Sequence, residues 1–142
     1  MAQYLEFLKG LPASGKSTYA KQKAKEQRHT VIINRDKIRE MLKGEYVEFP
    51  FGEKTFEEIV TSIEHAALHA ALVNNKNVIS DNTNFRLSAQ DLVEYKLFYP
   101  HLKITINEFD TPLEECIERD KNRDRSVGAE IITKMHNKYI LK

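Results

Sequence analysis

The residues best suited to chemistry form a short run near the start of the chain: Gly10-Leu11-Pro12-Ala13-Ser14-Gly15-Lys16-Ser17-Thr18. Gly-x₄-Gly-Lys-Ser is the Walker A spacing, and each part has a task. Glycine lets backbone N–H groups turn inward around a triphosphate without side-chain clashes. A helix beginning near Gly15 would add the positive end of its dipole. Lys16 would place a point charge on the β- and γ-phosphates, and Ser17 a hydroxyl on Mg²⁺. Gly10, Ala13, Ser14, Gly15, Lys16, Ser17 and Thr18 are therefore the candidate nucleotide-binding residues, with ATP or another NTP as ligand.

A second cluster is Asn34-Arg35-Asp36-Lys37-Ile38-Arg39. Asp36 and Arg39 are three apart and share a helical face. A carboxylate beside a guanidinium can take a hydroxyl proton while the arginine holds phosphate. The competing reading is an (i, i+3) ion pair on a solvated face. Arg119, Arg123 and Arg125 make a third cluster. Phosphoryl transfer is mostly charge neutralisation and positioning, so a basic lid over the nucleotide is the functional reading. A solvated helix end, with Asp120 and Asp124 interleaved, is the alternative. Ile79-Ser80-Asp81 is followed by Asn82 rather than a second carboxylate. An ATPase would carry a water-positioning acid there, so transfer to another molecule is favoured over hydrolysis. Asp81 could orient Arg39 or a Mg²⁺-bound water, or cap the next turn through Asn82 and Asn84.

These residues need a scaffold, and the pattern around them supplies one. Four short apolar runs, Tyr4–Leu8, Val31–Ile33, Asn77–Ser80 and Ile104–Ile106, alternate with helical stretches. That alternation predicts parallel strands joined by right-handed crossovers, in the order β-α-β-α-α-β-α-β-α-α. Ligands gather beyond the carboxyl ends of such strands, which brings Asp36 and Asp81 to the same crevice as the loop. Thr55-Phe56-Glu57-Glu58 and Thr111-Pro112-Leu113-Glu114 read as capped helix starts, Ser88-Ala89-Gln90-Asp91 as a weaker one. The first of these helices should bury Phe56, Ile59, Val60, Ile63, Ala66, Ala67 and Ala70. A last helix from about Gly128 to Leu141 should bury Ile131, Ile132, Met135 and Tyr139.

With 142 residues and no linker or repeat, the chain is expected to be one domain. Lysine and arginine total 22 against 21 acids, so whole-molecule charge makes no case for nucleic acid or membrane. The distribution is uneven: net +4 over residues 1–50, −3 over 51–100 and zero thereafter. One cysteine excludes an intrachain disulfide scaffold. The longest apolar run, Ala70–Val73, is far too short to span a membrane. Met1-Ala2-Gln3 opens no apolar signal stretch, which suggests a cytoplasmic protein.

In order, Gly-x-Pro-x-Ser-Gly-Lys-Ser-Thr, Asn34-Arg35-Asp36…Arg39, Ile79-Ser80-Asp81-x-x-Asn84 and Arg119…Arg123 with Val127-Gly128 resemble the kinase domain of phage-type 5′-polynucleotide kinases. The resemblance runs from about Tyr4 to Tyr139. It implies a three-layer P-loop kinase with a four-stranded parallel sheet ordered 2-3-1-4 and helices on both faces. It also implies transfer of the ATP γ-phosphate to the 5′-hydroxyl of DNA or RNA. By the same resemblance, Lys16 and Ser17 would hold ATP-Mg²⁺, Asp36 would act as general base, and Arg39 would contact acceptor phosphate. Arg123, in a lid of about residues 119–128 with Arg119, would contact the donor phosphates. Asp81 would reach the metal through water. A host-cytoplasm setting follows if the protein is phage-encoded. Ala13 stands where many members have Gly, a minor change if its φ is negative. Many phage enzymes carry a phosphatase domain opening Asp-x-Asp-Gly-Thr; Asp110-Thr111-Pro112 does not supply it, so a stand-alone kinase is expected. A P-loop kinase acting on a sugar, nucleoside or antibiotic hydroxyl is the alternative.

Smaller signals carry two readings each. Tyr46, Phe49, Pro50 and Phe51 could stack on an acceptor base or pack on the core. His65 and His69 are four apart, with no third metal ligand evident, and Cys116 falls at core spacing with Leu113 and Ile117.

Overall fold

The computed structural model describes residues 2–43, 54–123 and 126–141. The aromatic loop around Tyr46, Phe49, Pro50 and Phe51, along with Asp124 and Arg125, lies outside the described residues. The elements follow the expected order: β1 (Tyr4–Lys9), α1 (Lys16–Glu26), β2 (Thr30–Ile33), α2 (Arg35–Lys43) and α3 (Lys54–Val73). They continue as β3 (Asn77–Asp81), α4 (Ala89–Phe98), β4 (Lys103–Glu108), α5 (Leu113–Lys121) and α6 (Ala129–Tyr139).

All strand pairs are parallel, and the sheet order is β2-β3-β1-β4. Leu8 of β1 pairs with Asp81 of β3, and Ile33 of β2 with Ser80. This register aligns the strand ends that carry the chemistry. Alternating side chains then divide the core. Leu5, Phe7, Ile33 and Val78 face α3 and α4, meeting Leu68, Ala71 and Leu72. Leu8 and Ile79 face α1 and enclose Ala20. Leu11, Cys116 and Ile132 form a third cluster under α5 and α6.

Several local expectations are corrected. In α3 the buried stripe is Phe56, Val60, Leu68, Ala71 and Leu72, while Ala66, Ala67 and Ala70 are exposed. The four-residue rhythm of the large side chains decides which face turns inward, because burying leucine removes far more apolar surface than burying alanine. Ile59 is also exposed. Lys54 is already helical, so Thr55 lies within the first turn rather than at the cap. Thr111 does not cap α5 either; its hydroxyl donates to the Ser14 carbonyl at 2.8 Å, tying the start of that helix to the Gly10–Gly15 loop. The Ser88 box, the weakest of the three by sequence, is complete: Ser88 and Asp91 each accept from the other's backbone N–H. In α6 only Ile132 is fully buried; Ile131, Met135 and Tyr139 are half-buried.

The least expected core residue is Glu6, buried in the middle of β1. Its carboxylate accepts from Lys23, from the Tyr19 hydroxyl at 2.6 Å and from the Asn107 amide at 3.1 Å. Burial pushes the carboxyl upward, but these donors, Lys23 foremost, hold it below the usual carboxylate range. Glu6 thereby fastens α1 and β4 to β1, and α1 carries the loop lysine.

Candidate active site

The loop between β1 and α1 is built by close approach. A Cβ on Gly10 would stand 2.9 Å from the Phe109 carbonyl oxygen, so only glycine lets the chain pass beneath that segment. Gly15 has φ +104°, a conformation that L side chains rarely adopt. Ala13 has φ +62°, not the negative value that would make its replacement of glycine minor. A left-handed alanine costs about 1 kcal/mol. The loop accepts that strain, and Ala13 lines the cavity above it.

Lys16 is buried, and its ammonium donates to the carbonyls of Gly10 (3.0 Å) and Leu11 (2.6 Å) and to Ser14 Oγ (3.3 Å). Burial lowers its pKa to about 8; the Asp81 carboxylate, and more weakly Asp36, work the other way. The Ser17 hydroxyl donates to Asp81 Oδ2 at 2.7 Å, while the Asn34 amide reaches the same oxygen at 3.2 Å and the Asp81 carbonyl at 2.9 Å. Asp81 is therefore joined to Ser17 and Asn34. It does not orient Arg39; Glu57 does that. Arg39 pairs with Asp36 at 2.5 Å and with Glu57 at 2.7 Å, and its hydrogen bond holds the Glu57 carboxyl below its ordinary range against burial. Arg35 reaches Glu64 at 2.7 Å, and Asn82 donates to the other Glu64 oxygen at 3.0 Å.

One cavity of about 1080 Å³ gathers most of these groups. Ala13, Gly15, Lys16, Ser17, Thr18, Asp36, Arg39, Asp81, Arg119 and Arg123 all line it. Gly10 and Ser14 do not; they form the floor, Ser14 buried beneath Lys16. The Asp36 side chain is 66% exposed and opens on the cavity, so the pair with Arg39 is not an ion pair on a remote helix face.

The basic cluster is organised differently from a simple helix face. Arg119 lies on α5, ion-paired to Glu115 at 2.6 Å and beside Gly15. Arg123 falls beyond the helix end. Asp120 brings it back: this buried carboxylate pairs with Arg123 and accepts from the backbone N–H groups of Val127 (3.0 Å) and Gly128 (2.9 Å). Burial alone would raise the Asp120 carboxyl, but those two N–H groups, then Arg123, hold it below its usual value. Asp120 is thus not the solvated acid of the alternative reading, and Glu57, expected only as part of a helix start, braces Arg39. Proximity of Asp120 to Val127-Gly128 was the available signal.

The donor set suits Mg²⁺, a hard cation that takes one or two carboxylate or hydroxyl ligands and completes its shell with phosphate oxygens and water. Ser17 and Asp81, already in hydrogen-bond contact, are such a pair. Among the described residues no three His, Cys, Asp or Glu side chains cluster as a metal cage. His69 instead bonds the Tyr99 hydroxyl at 2.8 Å and stacks on Tyr95 and Tyr99. Cys116 is a buried core thiol.

Comparison with known proteins supplies the family. A profile described as "AAA domain" matches residues 5–140. The chain belongs to that family. The fold is that of P-loop kinases and is shared with solved Pnkp1/Rnl/Hen1 complexes. One, the Pnkp1/Rnl/Hen1 RNA repair complex, is 30% identical with a TM-score of 0.73, over 99% of this chain and 44% of that one. Another, a Pnkp1/Rnl/Hen1 complex, is 35% identical with a TM-score of 0.63, over 83% and 39%. A curated relative, L-seryl-tRNA(Sec) kinase of Methanococcus maripaludis, is 29% identical over 140 residues. The chain spans 95% of its own length there and 52% of the relative's. Among the described residues no helix is long and apolar enough to cross a membrane.

Proposed function

We propose that this domain is an ATP-dependent phosphotransferase that phosphorylates the 5′-hydroxyl end of DNA or RNA. The observation that carries the reading is the convergence of Asp36 and Arg39 on the cavity that also holds Lys16, Ser17 and Arg123. Asn82 stands where an ATPase would carry a second carboxylate to position water, and the Asp36–Arg39 pair can take a hydroxyl proton while holding acceptor phosphate, the equipment of group transfer.

In this reading Asp36 accepts the proton of the attacking 5′-oxygen. That oxygen bonds to the γ-phosphorus as the bond to the β,γ-bridging oxygen breaks, and ADP leaves. Lys16 swings from the loop carbonyls onto the β- and γ-phosphates. Arg123, aimed by Asp120, meets the charge spreading over the transferring group, while Arg119, beside Gly15, contacts the donor phosphates. Arg39, braced by Glu57, binds acceptor phosphate. Ser17 and Asp81 would hold Mg²⁺, whose role is to neutralise charge on the β- and γ-oxygens. Residues 119–128 act as the lid, and residues 1–142 as one kinase unit.

The Pnkp1 likenesses support a nucleic-acid end as acceptor. The curated relative favours a second reading, in which the hydroxyl belongs to a seryl group on tRNA. Labelled ATP incubated with 5′-hydroxyl DNA, 5′-hydroxyl RNA and seryl-tRNA in parallel separates them. Label at the 5′ ends is expected. An ATP-binding protein that leaves both oligonucleotides unlabelled would overturn the proposal. Transfer to seryl-tRNA would then establish the second reading, and transfer to a free sugar, nucleoside or antibiotic a small-molecule kinase.

A further inference from the structure

A second cavity, also of about 1080 Å³, adjoins the first and shares Arg35, Arg39, Asn82, Thr83 and Met135 with it. It runs away from the phosphate loop between α3, α4 and the segment after β3. None of the roles above uses its far end. There, Phe85 and Tyr139 stack face to face, ring centroids 4.9 Å apart and planes 9° from parallel. The exposed Arg86 donates through Nε to the Tyr139 hydroxyl at 3.2 Å. The Lys138 ammonium stands 5.3 Å from the same ring. Such a cluster has more polar equipment than a core needs. Phe85 joins the Leu11–Cys116–Ile132 cluster, but Tyr139 is only half-buried, and both cations are exposed.

We propose that Phe85, Arg86, Lys138 and Tyr139 form a binding subsite for the second nucleotide of the acceptor strand, with a base stacked at Tyr139 and a phosphate on Arg86. The inference rests on the polynucleotide reading above and deepens it. Base–aromatic stacking tolerates any sequence, because every base has a π-face, as an end-directed kinase requires. Arg86 is preorganised: its bond to Tyr139 fixes the guanidinium at the rim while leaving other N–H groups to donate. Of the five acids that line this cavity, Glu58 and Glu94 remain exposed on its wall, whereas the other three are already engaged. Glu57 and Glu64 are bonded by Arg39, Arg35 and Asn82, and Asp91 is held in the α4 cap. A small hydroxyl acceptor would need only the first cavity.

The test measures KM and kcat for a nucleoside 3′-monophosphate and for 5′-hydroxyl trinucleotides, with wild type, Arg86→Ala, Tyr139→Leu and Tyr139→Phe. Wild type is expected to bind the trinucleotide better than the mononucleotide. Arg86→Ala and Tyr139→Leu should each raise the trinucleotide KM about tenfold more than the mononucleotide KM. The effect should fall on KM rather than kcat, and Tyr139→Phe should retain most of the stacking. Arg86 is exposed, so its variant carries the test if Tyr139→Leu fails to fold. Equal KM changes for both acceptors, or none, would overturn the subsite while leaving the kinase reading intact. A wild type that phosphorylates neither acceptor removes both.

Discussion

At the scale of single residues, Asp36 and Lys16 carry opposite demands. Asp36 is open to the cavity and paired only to Arg39 among the partners described above, so it is free to meet a hydroxyl. Asp36→Asn should keep ATP affinity and lower kcat by about 10²–10⁴, the range of a general base; ATP titration beside turnover checks both, and undiminished turnover would remove Asp36 from the chemistry. Lys16 shows what such a site costs. Its folded pKa is lowered to about 8 from 10.5, chiefly by burial. Between those values the unfolded chain keeps a proton that the folded chain has released. Unfolding therefore takes up a proton, and stability should rise with pH across the window, by about 3 kcal/mol in full. Denaturant titrations of wild type and Lys16→Met at pH 7.5 and 10 should show the wild type gaining on the variant. A gap that stays constant would mean that Lys16 titrates normally. The phosphate loop could be read from sequence because its chemistry is local: nine consecutive residues contain the whole pattern. The strain at Ala13 could not, since an alanine carries no signal of a positive φ and the contacts around the loop, Phe109 at Gly10 and Thr111 at Ser14, come from about a hundred residues away.

At the scale of elements, the same contrast between near and far contacts decides what was legible. Parallel strands and crossovers followed from alternating apolar runs, the sheet order 2-3-1-4 only from the family resemblance, and Ser88 with Asp91 closed its box because both partners lie three residues apart. Thr111 and Thr55 misled for the converse reason. A hydroxyl near a helix start will serve whichever acceptor the fold brings, and for Thr111 that is Ser14, 97 positions away. Glu57 and Glu6 were invisible as functional or core acids, because their partners sit on other helices and strands. Asp120 is the element-scale residue with the clearest consequence. It closes the turn from α5 to α6 through Val127 and Gly128 and aims Arg123. Asp120→Asn should destabilise the fold by about 2 kcal/mol, the value of losing charge-assisted hydrogen bonds at a buried acceptor. It should also raise the KM for ATP more than it changes oligonucleotide affinity. The sign with pH is fixed by the depressed carboxyl: its contribution is fully present above the unfolded value of about 3.9 and fades as pH falls through the lower folded value. Melting curves of both proteins should therefore differ at pH 7 and converge in strong acid. A variant as stable as wild type at pH 7 would show that the Arg119–Gly128 segment is held by packing alone.

At the scale of the whole molecule, the charge balance constrains how a polynucleotide could be held. A formal charge of +1, with net −3 over residues 51–100, gives no long basic track. The second cavity has Glu57, Glu58, Glu64 and Glu94 along its walls, and its described cations are Arg35, Arg39 and Lys54, with Arg86 at the far rim. Such a surface grips an end and ignores the rest of the strand. For single strands the logarithm of affinity falls with the logarithm of salt by about 0.7 per phosphate neutralised. Two or three contacts then predict a slope of about −2, against a much steeper one for a protein that lies along many nucleotides. Affinity should also stop improving beyond roughly three nucleotides, because Arg86 and Lys138 are the last cations on the path among the described residues. Binding of 5′-hydroxyl oligonucleotides of three to twenty residues, measured from 50 to 300 mM salt, reads both quantities at once. A slope beyond about −5, with affinity still climbing at twenty residues, would require a basic surface that the described residues do not form. The acceptor strand would then have to run elsewhere on the molecule.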